Sequence, residues 1–252
     1  MASPVAATLL AGGLAAVHLL AGRLRFLQAI PRSRTLSLAG GASVAYVFVH
    51  LLPEVTERQA ELAEGGETAT ALVAVDEHVL FLVALVGFAT FYGLERLAVR
   101  SKSEVDRRAV AGERETQTPQ DVFWVHISSF AVYNALVGYL LVHREESGTA
   151  ALLLYFVAMA LHFVVNDYGL RDHHQEAYTH RGRWILAGAV FSGLAVGLAV
   201  DVRDVVLGLL LAFLAGGVVL NVIKEELPEE RESSFGAFVA GVAGYTVVLL
   251  LL

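Results

Sequence analysis

The sequence predicts an all-α integral membrane protein, a single transmembrane domain over residues 1–252 built from eight transmembrane helices. Three observations predict it. Of 252 residues, 56% are hydrophobic and only 17% charged, whereas soluble domains carry about 25% charged residues. Apolar runs recur at close to the roughly 20 residues that a helix needs to cross hydrocarbon. The basic residues divide unevenly between the two sets of connections that these runs define.

The runs cover residues 4–22, 36–52, 79–97, 122–142, 149–165, 184–200, 205–223 and 235–252. The first lacks the positively charged beginning of a secretory signal and reads as a retained span. With eight crossings, Arg58, Arg144 and Arg203 fall on one side, and the other fifteen of the eighteen Lys and Arg fall on the opposite side. The rich side is cytoplasmic, which places both termini outside a plasma (inner) membrane. The outer connection 56–78 carries six carboxylates. They form either a vestibule that concentrates cations or a merely solvated loop. The inner connection 101–120, polar and of mixed charge, reads as a flexible cytoplasmic loop. Gly188, Ser192 with Gly193, Gly197, and Gly236 with Ala240 put small residues at four-residue spacing, which lets helices approach closely.

Composition also excludes chemistry. With no cysteine, disulfides, thiolate metal sites and cysteine nucleophiles are ruled out. Any metal must then be held by imidazole, carboxylate, amide or backbone groups. Nothing supports nucleic-acid binding, so the partner of which the sequence speaks first is the lipid bilayer.

The second run ends His50-Leu51-Leu52-Pro53-Glu54 and the seventh ends Glu225-Glu226-Leu227-Pro228-Glu229. The two runs cross in opposite directions, so a shared Leu-Pro-Glu core stands at opposite faces. This is the mark of an inverted repeat in which spans one to three (about 1–98) answer spans six to eight (about 180–252), with a central pair (about 121–170) between them. His50 with Glu54, and Glu225 with Glu229, stand four apart on one helix face. A cation would relieve carboxylates placed at the negative end of a helix dipole. The other reading is two ordinary helix ends stopped by proline.

The central pair carries the deep polar groups: Tyr133-Asn134 in the fourth span, and His162, Asn166 and Asp167 in the fifth. Ionisable groups at such depth usually face a bundle interior or a polar pathway. Imidazole, amide oxygen and carboxylate together suit zinc or a similar divalent ion. Hydrogen bonding between helices, with Asp167 reaching Arg171, is the alternative. His18 and His126 have no carboxylate at helical spacing and read as structural. Asp172-His173-His174-Gln175-Glu176 reads as an inner loop that either receives a metal or is a solvated turn.

These elements together resemble the ZIP (Zrt/Irt-like) family of divalent-metal transporters, over the whole chain at the level of topology: eight spans, outside termini and a 3+2+3 arrangement. The most specific local matches are His50-Leu-Leu-Pro-Glu54 and the acidic Leu-Pro-Glu ending of the seventh span. At the metal centre the family pattern His-Asn-x-Pro-Glu-Gly aligns with Tyr133-Asn134-Ala135-Leu136-Val137-Gly138, so two ligand positions are lost. The pattern His-Glu-x-Pro-His-Glu aligns with His162 to Asp167, keeping His162, replacing two ligands by Asn166 and Asp167, and putting Phe163 where a carboxylate is expected. The resemblance therefore implies at most a single-ion centre of Asn134, His162, Asn166 and Asp167, with His50 and Glu54 on the way in and Glu225 and Glu229 on the way out.

The leading expectation is transport of a divalent cation, zinc before others, across a prokaryotic membrane, with the metal as cargo and no resident cofactor. A ZIP-like scaffold without transport is the alternative. An intramembrane metal-dependent hydrolase built on His162, Asp167 and the His173-His174 pair ranks last, so no enzyme is expected. A homodimer stays open.

Overall fold

The computed structural model describes residues 3–20, 32–64, 78–110, 120–143, 148–226 and 234–251. Apolar runs in which every backbone group must find its partner internally form helices, and no strand occurs among the described residues. In chain order the helices are α1 (Pro4–Leu20), α2 (Arg32–Tyr46), α3 (Leu52–Glu64), α4 (Val79–Val110), α5 (Gln120–Leu140), α6 (Thr149–Ala177), α7 (Arg183–Ala199), α8 (Asp204–Glu226) and α9 (Phe235–Leu251). Wider π turns join α2 to α3 over Val47–Leu51 and α6 to α7 over Tyr178–Gly182.

Five helical stretches are long and apolar enough to cross a membrane: Arg34–Glu57, Val79–Ser101, Asp121–Leu140, Thr149–Ala199 and Asp204–Ile223. Pro4–Leu20 and Phe235–Leu251 are shorter apolar helices. Large apolar side chains such as Leu9 (71% exposed) and Val132 (70%) point outward, while His18, Asn134 and Asp167 point inward. That distribution is compatible with a multi-pass membrane protein.

The 51-residue stretch Thr149–Ala199 is not one rod. Gln175 interrupts it with φ 43° and ψ −112°, and the arms on either side run in opposite directions. Helix α6 is antiparallel to α5, since Tyr155 bonds the Val137 carbonyl, His162 meets Tyr133 and His174 meets His126. Helix α7 is parallel to α5, with Gly182 against Ile127, Gly193 against Ala135 and Gly197 against Tyr139. The residues expected to form an inner loop, His173 and His174, are instead buried in the last turns of α6.

Two other expected boundaries move. Pro53 does not stop its helix, because the chain widens into a π turn in which the Leu52 N–H bonds the Val47 carbonyl five residues back. A looser turn makes room for a proline ring that has no N–H to give, and the helix continues to Glu64. Helix α4 likewise runs to Val110, into the first half of the connection 101–120 expected to be flexible.

Eight of the nine described helices can be divided into two groups of four, with α2 packed on α6 across the division at least as closely as α2 packs on α8 within it. In one, α2 packs on α9, α4 on α8, and α2 on α8. In the other, α5 packs on α7, and α1 lies on both α7 and α6. Helix α2 against α6 is the main seam between them. Lipid tails are as apolar as leucine, so helices in a bilayer are held by close van der Waals contact, and glycine supplies it here. A Cβ on Gly41 would run into the Phe238 carbonyl, and one on Gly241 into the Leu38 carbonyl. The same holds for Gly216 on Ala84 and Gly87 on Phe213.

These four contacts correspond. Gly216 and Phe213 follow Gly41 and Leu38 by the number of positions that separates Leu52-Pro53-Glu54 from Leu227-Pro228-Glu229. Gly241 and Phe238 follow Gly87 and Ala84 by a second common interval. In the other group Gly138 meets the Val190 backbone and Gly193 that of Ala135, whereas Gly188 there and Gly236 of α9 face open space. Of the small-residue faces read from the sequence, the part from Gly193 to Gly197 is a helix contact.

Candidate functional site

Helices α1, α5 and α6 bring a buried polar network together. His18 comes from an otherwise apolar helix and is 2% exposed, while Asp167 is 0% exposed. The ring places Nδ1 2.8 Å from Asp167 Oδ1 and Nε2 2.6 Å from Asn134 Oδ1. The Asn134 amide nitrogen donates to the Phe130 carbonyl at 2.7 Å, which fixes the amide oxygen toward the ring. His18 Nε2 therefore donates, and one further proton lies between Nδ1 and the Asp167 carboxylate. Whichever partner holds that proton, the pair is neutral as a unit, which lowers the cost of burying it.

Beside it, the Tyr133 hydroxyl and the Asn166 amide nitrogen both reach His162 Nε2, at 3.2 and 2.9 Å. Both donate, so the lone pair that a metal would need is already engaged. Asn166 Oδ1 is buried without a hydrogen-bond partner among the described residues, while the Tyr178 hydroxyl is directed at the Asp167 carboxylate.

The four central residues read from the sequence thus occupy one buried region, in two adjoining sets. Asn134 and Asp167 engage His18, and His162 engages Asn166 with Tyr133. His18, read from the sequence as structural, joins them here through its bonds to Asp167 and Asn134. Its carboxylate partner lies on another helix, and the one available signal was an ionisable side chain in an apolar span. Among the described residues, no group of three or more His, Asp or Glu side chains is arranged to hold a metal ion.

A second cluster lies two helical turns away. His126 Nδ1 and His174 Nε2 are 2.9 Å apart, and His173 Nε2 is 3.1 Å from Glu95 Oε1. His126, also read as structural on spacing, has its imidazole partner on α6. Phe91 and Phe130 pack on one another and on Tyr133 between the two clusters. At the C-terminal ends of α5 and α7, His143 stacks on Tyr139 at 4.5 Å and bonds the Gly197 carbonyl at 2.7 Å, tying those ends together.

Of the repeat endings, His50 sits in the π turn with its ring 5.0 Å from Tyr46, and Glu54 is buried one turn on. Glu225 is in α8, its side chain outside those described, and Glu229 lies outside the described residues. Comparison with protein-family models, with curated proteins and with solved structures gives no match.

Proposed function

We propose that this chain is a ZIP-like transporter of divalent metal cations, zinc first, with eight crossings in a 3+2+3 inverted repeat and both termini outside a prokaryotic plasma membrane. The observation that carries it is the register of the glycine crossings. The contact of α2 with α9 becomes that of α8 with α4 when α2 is carried onto α8 by the shift that aligns the two Leu-Pro-Glu endings and α4 onto α9 by a second common interval. Helix directions support the count as well, since α6 is antiparallel to α5 and α7 parallel to it, as alternating crossings require. Inverted repeats that meet around buried polar side chains are a recurring transporter design, with the site at the junction and the two units rocking in turn.

Here the moving unit would be α1, α5, α6 and α7, which carry the polar centre, against the glycine-locked group. An arriving cation would take Asp167, Asn134 and an imidazole nitrogen of His18 or His162 as ligands and displace the proton shared by His18 and Asp167. Imidazole with oxygen donors and no thiolate suits zinc among common divalent ions.

A second reading, a ZIP-like scaffold that no longer transports, is favoured by the way the candidate ligands satisfy one another. Zinc uptake into proteoliposomes separates the two. Transport predicts uptake that Asp167→Asn abolishes, together with zinc-dependent thermal stabilisation of the wild type that the variant loses. Neither effect in folded, reconstituted wild type would leave the scaffold. The crossing number is tested on its own, because the chain has no cysteine. Single cysteines at Glu64 and Ser147 should react with an impermeant thiol reagent outside intact cells, and those at Ser103 and Gln175 should not.

A further inference from the structure

The second cluster joins three helices where α6 finishes and α5 begins, against the middle of α4. Its four side chains are Glu95 from α4, His126 from α5, and His173 and His174 from α6. His126 is 1% exposed, His174 4% and His173 8%. Immediately after His174 comes Gln175, whose φ of 43° is a region that a residue with a side chain rarely adopts. Such a conformation persists only where the surrounding structure enforces it. On one side stand the bonds of His173 and His174, and on the other the π turn, where Tyr178 is buried.

We propose that this cluster is a pH-sensitive latch that holds α6 against α4 and α5, with Gln175 as its hinge. An imidazole–imidazole hydrogen bond needs one ring nitrogen without a proton, so His126 and His174 stay joined with up to one added proton and separate with two. Histidine is the side chain that makes this change between about pH 5 and 8. The countercharge within the cluster is Glu95, which already faces His173.

On α4, Arg96 and Arg100 beside Glu95 are exposed, as is Glu176 two residues after His174 on α6. Asp121 near the start of α5 is exposed, as are His180 and Arg181 of the π turn. Arg171 and Arg183 are within electrostatic reach of the Tyr178 hydroxyl, so they add positive charge. Asp172 on α6 is half-buried, and Lys224 to Glu226 at the end of α8 have side chains outside those described. Acidification therefore puts like charges into a buried space with one carboxylate among the latch side chains. The released state, with its imidazoles in water, binds more protons, so falling pH favours release. Release also frees Gln175 to leave its strained conformation. The latch does not depend on whether the chain moves a cation.

The test uses the full chain in lipid nanodiscs with spin labels on Trp124→Cys and Glu176→Cys, both at exposed positions, and measures the inter-label distance from about pH 8 to about pH 5. One narrow distance at the upper end, joined by a longer population as pH falls, is the expected result. The H126N/H174Q pair keeps amide donors and acceptors but cannot titrate, and should hold the narrow distance throughout. Glu95→Gln removes the countercharge and should move the transition to higher pH. An unchanged distribution in the wild type, a response that survives in H126N/H174Q, or a downward shift with Glu95→Gln would each overturn the latch.

Discussion

The two four-helix groups are built from one kind of apolar sequence and are held in opposite ways. Helices α2, α4, α8 and α9 meet backbone to backbone at Gly41, Gly87, Gly216 and Gly241. Helices α1, α5, α6 and α7 add to one such crossing, at Gly138 and Gly193, a set of polar side chains that bond across the interior. A glycine crossing has one good geometry and resists movement, because interiors pack densely and do not deform continuously. A hydrogen-bonded centre can exchange partners. The difference separates a half suited to stay fixed from a half suited to change.

The largest way to break the comparison is at His18. His18→Leu leaves Asp167 buried without its imidazole partner and should lower stability by about 3 kcal/mol. The double variant His18→Leu/Asp167→Leu should recover most of that loss, as measured by unfolding in detergent. If the double variant is as unstable as the single one, the pair is not an isolated neutral unit. Next come the glycines. Gly41→Val and Gly216→Val should each cost at least about 1–3 kcal/mol, because a side chain must displace a backbone carbonyl. Gly188→Val and Gly236→Val, where nothing stands within 4 Å of a Cβ, should be neutral in folded yield. Loss at all four positions alike would remove the distinction between crossings and faces. The smallest effect is expected at His162→Leu, about 0.6 kcal/mol and up to about 2 if it serves only as interhelical hydrogen-bond glue. A stability series with and without zinc reads it, and stabilisation by His162→Leu without zinc would instead mark a site kept for a ligand.

Much of this contrast is legible in the sequence, for reasons that can be named. Helix content follows from apolar length alone, and the Leu-Pro-Glu core shared by residues 52–54 and 227–229 is the local signal for the repeat proposed above. The glycine crossings are less legible. Gly41 looks no different from Gly188 or Gly236 until its neighbour is known, and that neighbour, Phe238, is nearly a chain length away. His18 was undervalued for the same reason, since spacing along one helix finds partners only on that helix. Its partner Asp167 is 149 residues on. The central residues Asn134, His162, Asn166 and Asp167 were found because polarity at depth is itself a signal, but their division into two bonded sets depends on α1. The π turn at Pro53 escaped because proline marks a helix end in most contexts, and a widened turn that admits it leaves no trace in composition.

The central claim is that one group moves against the other. Tyr46 of α2 tests it most directly, because its ring lies 6.2 Å from Tyr155 of α6, in the opposite group, and 6.5 Å from Tyr245 of α9, in its own. With no native cysteine to interfere, Tyr46→Cys/Tyr155→Cys and Tyr46→Cys/Tyr245→Cys can be joined by the same short bifunctional thiol reagent, cleavable by reductant, and zinc uptake measured before and after. The account predicts that the link between groups stops uptake, that reductant restores it, and that the link within the group leaves uptake unchanged. Full uptake with the two groups joined would contradict it.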